Sequence, residues 1–195
     1  MKRTILGSLI AVVLTSSLSF GQFATGQKAP DFTLPDIDGN YVTLSQVLGD
    51  GPVYINFWAT WCGPCKKEIP HLVDLYNEYK DRGFKVLGVS TDNSRTVGKV
   101  KSFVQDRGMN FTILLDSNQE VFSRKYKGRG IPYGFLLDNN GNIIWSVIGL
   151  RPGFEKTIAE KIEPYLKPAP DDKSDVKKAE DKSPEKSDKK EETQK

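Results

Sequence analysis

Hydrophobic positions follow two rhythms along the chain. Val53-Tyr54-Ile55-Asn56-Phe57, running on to Ala59, is an almost unbroken apolar stretch, the pattern of a strand covered on both faces. Ile69, Leu72, Val73, Tyr76 and Tyr79 then recur at helical spacing, which predicts a helix from about Gly63 to Lys80. Pro70 should kink it, and Asp81-Arg82-Gly83 should end it. Upstream, Ala29 to Pro35 and Tyr41 to Leu44 flank the turn signal Asp36-Ile37-Asp38-Gly39-Asn40, so a β-hairpin is expected around Asp38-Gly39. A short helical turn starting at Ser45 should stop at Gly49 and Gly51. Downstream, Phe84 to Ser90 reads as a strand and Thr91 to Ser94 as a loop with an N-cap. A helix is expected over 97–106, with Val100, Phe103 and Val104 inward. Strand Phe111 to Leu115 precedes a short helix through Tyr126, capped by Asp116 and Ser117. Two strands, 134–138 and 143–148, flank the turn Asn139-Asn140-Gly141-Asn142. Phe154 to Leu166 is the last amphipathic helix. No repeat is visible. The order predicts a mixed sheet with helices on both faces, an α/β sandwich.

The two ends of the 195-residue chain differ from this middle. Residues 1–21 place Lys2 and Arg3 before the apolar run Ile5 to Leu14 and a small-residue tail, Ser16 to Gly21. That is the build of a secretory signal peptide, with Gln22 first in the mature chain. The apolar run is short for a spanning anchor, and no cysteine follows it to carry a lipid. Residues 168–195 hold eight Lys against nine Asp and Glu, with Val176 the only large apolar side chain. Such a segment cannot bury enough surface to offset its ordering entropy, so a disordered, solubilising tail is expected. The folded part is then 22–167, with eighteen basic against sixteen acidic residues. That balance speaks against a nucleic-acid or charged-membrane partner. Export suggests an extracytoplasmic compartment such as a periplasm.

The only two cysteines, Cys62 and Cys65, lie in Trp58-Ala59-Thr60-Trp61-Cys62-Gly63-Pro64-Cys65, where the apolar strand ends and the helix begins. The first helical turn offers unpaired N–H groups and the positive end of the helix dipole. Both favour thiolate over thiol, and the thiolate is the species that attacks disulfides. Cys-x-x-Cys beside a βαβ-like pattern reads as a redox motif. Two other readings exist. A structural disulfide would close a very short loop and gain little stability. A zinc site wants four ligands, and the chain has only His71 to add to the two cysteines before turning to carboxylates. No metal or other cofactor is expected beyond a redox-active Cys62–Cys65 disulfide.

Ala29-Pro30-Asp31-Phe32, Phe57-Trp58-Ala59-Thr60-Trp61-Cys62-Gly63-Pro64-Cys65, Glu68-Ile69-Pro70 and Gly130-Ile131-Pro132 together resemble thioredoxin-like proteins. The likeness is to the exported TlpA/ResA/CcmG-type branch of thiol–disulfide oxidoreductases, and it covers residues 27–166. It implies a three-layer α/β/α sandwich with a mixed central sheet, an N-terminal hairpin and a central βα insert over Thr91 to Asp116. It also implies roles. Cys62, the more exposed cysteine in such folds, attacks, and Cys65 resolves. Trp58 and Trp61 shield the site. Trp61, Gly63 and Pro64 meet substrate together with Ile131 and a cis Pro132, whose preceding backbone pairs with an extended peptide. Minimal thioredoxins carry Asp where this chain has Asn56, which accepts no proton. Glu68, one helical turn after Cys65, matches a glutamate of the exported branch and is the candidate proton acceptor. One departure stands out: the branch usually has Thr where this chain has Gly134, which should widen the groove or loosen the strand start. His71 is expected on the helix surface.

The function expected on this resemblance is reduction of protein disulfides, as in cytochrome c maturation, by a monomer recharged from a thiol-reducing membrane donor. A disulfide oxidase or isomerase of the same fold is the nearer alternative. A thiol peroxidase is the farther one. Ala29-Pro30-Asp31-Phe32 is shared with peroxiredoxins, but those place Thr or Ser three residues before the reactive cysteine, where this chain has Ala59.

Overall fold

In a computed structural model of the chain, the structure describes residues 23–169. The expected signal segment 1–21 lies outside the described residues, as does all but the start of the expected tail 168–195. The hairpin is formed by β1 (Thr33–Pro35) and β2 (Tyr41–Thr43). Its turn is tied by Asp36, whose Oδ1 accepts the backbone N–H groups of Asp38 at 2.8 Å and Asn40 at 2.9 Å. A four-residue helix α1 (Leu44–Val47) follows. Then come β3 (Val53–Trp58), α2 (Gly63–Tyr79), β4 (Lys85–Ser90), α3 (Val100–Asp106), β5 (Thr112–Leu115), β6 (Tyr133–Leu137), β7 (Ile143–Ile148) and α4 (Phe154–Ile162). The helix α2 continues through Pro70. It hands over to a tight turn, Lys80–Arg82, and stops at Gly83, whose φ of +95° suits only glycine comfortably.

Five strands form one sheet in the order β5-β4-β3-β6-β7. The β5-β4-β3 side is parallel and the β3-β6-β7 side antiparallel. The central strand β3 is buried along its whole length, as its apolar run requires. Successive side chains point to opposite faces. Tyr54 and Trp58 accordingly join one core cluster, while Val53, Ile55 and Phe57 join the other.

The two faces are covered unequally. The longer helices all feed the first cluster, through Cys65, Ile69 and Leu72 of α2, Val100 and Val104 of α3, and Phe154, Ile158 and Ile162 of α4. The second face is closed by the hairpin and α1, through Phe32, Leu34 and Leu44, and by Val121, Phe122 and Tyr126. Those last three belong to the segment expected as a short α-helix capped by Asp116 and Ser117. It is instead a stretch of wide turns, Glu120–Lys125, in which Tyr126 N–H reaches back to the Val121 carbonyl at 2.9 Å. Asp116, not Ser117, caps it, accepting the N–H groups of Val121 at 3.2 Å and Phe122 at 2.7 Å, while Asn118 Oδ1 accepts that of Glu120 at 3.1 Å. The wider turn swings Phe122 and Tyr126 onto Phe57, with ring centroids 5.4 and 5.1 Å away. Among the described residues, no helix is long and apolar enough to cross a membrane.

Candidate active site

The dithiol segment leaves the carboxyl end of β3 and is fixed by its neighbour β4. Trp58 C=O accepts the N–H of Thr91 at 2.8 Å. One residue on, the buried Asp92 carboxylate takes both donors of Thr60: backbone N–H at 2.8 Å and hydroxyl at 2.6 Å. Ser90 Oγ donates to the same carboxylate at 2.9 Å. Asp92 therefore clamps the loop two residues before Cys62. From the sequence, Asp92 is visible only as part of the Thr91 to Ser94 loop. Its one local sign is an acid just past a strand end, which is too common to single it out.

Cys62 is the N-cap of α2: its Sγ accepts the N–H of Cys65 at 3.2 Å, and Pro64 occupies the first turn. Proline fits there because the N–H it lacks would have no helical partner anyway. The two sulfurs are joined as a disulfide. Cys62 is only 4% exposed and Cys65 1%. Both cysteines are therefore covered in this state.

The tryptophans divide sharply. Trp58 is fully buried, stacked at 5.3 Å on Phe103. Trp61 is 58% exposed, a large apolar ring facing solvent beside Cys62. The shield expected of both is a core residue in one case and a free surface in the other. Gly63 and Pro64 are exposed too. The Ile131–Pro132 peptide bond is cis, with Pro132 buried and its carbonyl accepting the N–H of Gly149 at 2.8 Å. Gly63, Pro64, Lys67, Ile131, Gly149 and Leu150 line one open groove of about 420 Å³. Residues far apart in sequence thus meet at one rim, whereas Trp61 lines a separate pocket with Thr60, Lys66 and Phe103. His71 is exposed, edge-on to Phe154 at 6.4 Å, and lies away from this groove.

Glu68 is no surface residue. It is 4% exposed, on the inner side of α2, and its Oε1 accepts from Asn56 Nδ2 at 3.0 Å. Burial penalises the charged form and pushes its carboxyl up to about 7 from the usual 4.5. The nearby Tyr54 hydroxyl and Asn56 amide only partly offset that. Of the two, only Asn56 reaches hydrogen-bond geometry, and Tyr54 Oη has no partner. Asn56, which cannot itself take a proton, instead holds the group that can.

Gly134 sits opposite Asn56 in the β3–β6 register. It does not widen a groove. A Cβ built on it would lie 1.9 Å from Tyr54 Oη, so the room left by the missing side chain is filled by tyrosine. Among the described residues, no group of three His, Cys, Asp or Glu is placed to hold a metal ion.

The raised carboxyl has a consequence for stability. Between about pH 4.5 and pH 7 the folded disulfide form keeps a proton at Glu68 that the unfolded chain has released. Stability from this group is full below pH 4.5 and is lost as the pH climbs to 7, by about 3 kcal/mol at most. Glu68→Gln should flatten that decline. Urea unfolding of the disulfide form from pH 4 to 8 measures it, and an equal decline in both proteins would mean an ordinary carboxyl.

The AhpC/TSA family model matches residues 25–146. The chain belongs to the AhpC/TSA family. Its relatives narrow what kind of member it is. It is 33% identical over 175 residues to a thiol-disulfide oxidoreductase ResA of Bacillus thuringiensis, covering 85% of this chain and 95% of that one. With the ResA of Bacillus subtilis it shares 36% over 124 residues, 64% of this chain and 67% of that one. The thioredoxin domain of a thiol-disulfide oxidoreductase from Bacteroides vulgatus superposes with a TM-score of 0.65 at 31% identity, over 72% of this chain and 99% of that domain. This AhpC/TSA protein is a thiol–disulfide oxidoreductase with a thioredoxin-like fold.

Proposed function

We propose that the chain is an extracytoplasmic reductant of protein disulfides, with Cys62 as attacking thiolate and Cys65 as resolving thiol. The observation that carries this reading is a Cys-Gly-Pro-Cys pair at the start of α2, with a buried carboxyl near pKa 7 one turn inward. In the reduced protein, Cys62 Sγ attacks one sulfur of the substrate disulfide. The substrate S–S bond breaks, its other sulfur leaves as thiolate, and a mixed disulfide forms. Glu68 takes the proton of Cys65. Cys65 Sγ then attacks Cys62 Sγ, closes the Cys62–Cys65 bond and releases the second substrate thiolate. Two electrons have passed to the substrate; its two thiolates take up the proton that Cys62 had released to water and the one that Glu68 gives back, and a dithiol donor must restore the pair. Trp61, Gly63, Pro64 and Ile131 receive an extended peptide next to the cis Pro132.

The leader-like segment 1–21 supports export of the 22–167 domain, with 168–195 as a charged spacer. In this reading the chain works as a monomer recharged by a membrane thiol donor, and the ResA likeness fits a substrate such as apocytochrome c awaiting haem. A peroxidase is not favoured: Ala59 has no hydroxyl to offer a peroxide, and the Thr60 hydroxyl is already committed to Asp92.

Equilibration of the Cys62–Cys65 pair with dithiothreitol or glutathione buffers tests the direction of electron flow. The expected potential is about −270 mV or lower, in the range of reducing thioredoxins. A value near about −120 mV, that of a strong dithiol oxidant, would make the protein a disulfide-forming enzyme instead.

A further inference from the structure

Tyr54 is fully buried, yet its hydroxyl has no hydrogen-bond partner. Phenylalanine would pack the same ring without the cost of an unmet hydroxyl, so the oxygen calls for an explanation. Its surroundings supply one. Tyr54 and Asn56 point to the same face of β3, toward α2 and Glu68. The ring leans diagonally across to β6, where Gly134 alone leaves it room: a Cβ there would lie 1.9 Å from Oη and 2.5 Å from Cζ. Any other residue at 134 would displace the hydroxyl.

We propose that Tyr54 is a positioning residue for the dithiol reaction: its hydroxyl, housed where Gly134 has no side chain, is the second donor, beside the Asn56 amide, to the Glu68 carboxylate when that group ionises. This rests on the reading of Glu68 as proton acceptor. In the disulfide form below pH 7, Glu68 is protonated and its Oε1 is already served by Asn56, so a second donor has nothing to stabilise and the hydroxyl stands idle. In the reduced form Glu68 must be a carboxylate before it can take the Cys65 proton. A carboxylate has lone pairs for both donors. Tyr54 is suited to this because it stays protonated throughout: burial, and then the charge of Glu68, hold its phenol well above the usual range.

The groups bearing on Glu68 are few. Tyr54 and Asn56 face it from β3, the Cys62–Cys65 pair lies one turn away on α2, and β6 brings Gly134 without a side chain. From α4, the buried members of the same cluster are Phe154, Ile158 and Ile162, all apolar.

The test is carboxyl carbon-13 NMR of the full chain, in both redox forms, for the unaltered protein and Tyr54→Phe, with Glu68→Gln assigning the resonance. Loss of a donor to the charged form should raise the Glu68 midpoint by about one pH unit. The midpoint of the pH–rate profile for disulfide reduction should move up with it, while thermal stability stays level or rises. An unmoved Glu68 midpoint in Tyr54→Phe, with Glu68→Gln still altering the pH–rate profile, overturns the proposal alone. A pH–rate profile that Glu68→Gln leaves unchanged overturns the role of Glu68 and this proposal with it.

Discussion

Cys62→Ser will reduce disulfide exchange to the uncatalysed level, and Cys65→Ser will stall the protein as a mixed disulfide with its substrate. The asymmetry follows from position. Cys62 Sγ caps the first turn of α2 and accepts the N–H of Cys65, so a negative charge on that sulfur is met by a donor and by the helix dipole. An ordinary thiol of pKa about 8.5 is only about 3% ionised at pH 7, whereas a helix-capping Cys-x-x-Cys thiol near 7 is about half ionised. Serine has no comparable anion near neutrality, so the first attack is lost. Cys65 lies deeper and can reach only its own partner. Without its sulfur, the Cys62–substrate bond forms and nothing within the protein cleaves it. Insulin reduction measures the first outcome. Mass spectrometry of the trapped adduct under non-reducing conditions measures the second. An adduct captured by Cys62→Ser and not by Cys65→Ser would reverse the two roles.

Gly134→Ala will destabilise the protein severely for a single methyl group. The new Cβ would fall 1.9 Å from Tyr54 Oη, and the ring behind it is fully buried between the sheet and α2. Overpacking a close-packed core costs about 1–3 kcal/mol and more where neighbours cannot move. Tyr54 cannot move far, because its backbone pairs with both β4 and β6. For a domain of this size, 3 kcal/mol corresponds to a fall in Tm of roughly 10 °C. Tyr54→Leu in the same chain should return most of the loss, because the two sites compete for one volume. Thermal unfolding of the two single variants and the double variant reads that coupling directly. Additive losses would mean that the ring and the glycine do not share the space.

The same residues mark what a linear reading reaches. The buried central strand was legible because seven consecutive positions carry almost no polar group, and Asn56, the exception, turned out to have a buried partner. The dithiol was legible from its spacing at a strand-to-helix junction, whereas the cis proline and the glutamate became legible only through the resemblance to the thioredoxin-like branch. Three features depend on contacts between distant segments and left no local trace. Asp92 meets Thr60 across a separation of 32 residues. Tyr54 fills the place of a side chain at position 134, on another strand. The 120–125 segment widens because Phe122 and Tyr126 must reach Phe57, a tertiary demand that overrides the helical turn its spacing suggests. Trp61 escaped for a different reason: sequence shows that a ring is present, and only packing decides which side of the surface it occupies.

The Asp92 clamp also bears on modularity. Residues 91–116 look like an added βα unit that could be cut out to leave a smaller domain. Yet their first acid holds the backbone that presents Cys62, and their last strand carries the bridge from Leu114 to Asp36 that seats the N-terminal hairpin. A chain shortened by deleting this unit would keep both cysteines in sequence and lose the support that aims them. In this chain the unit is therefore part of the scaffold of the dithiol loop rather than an ornament on it.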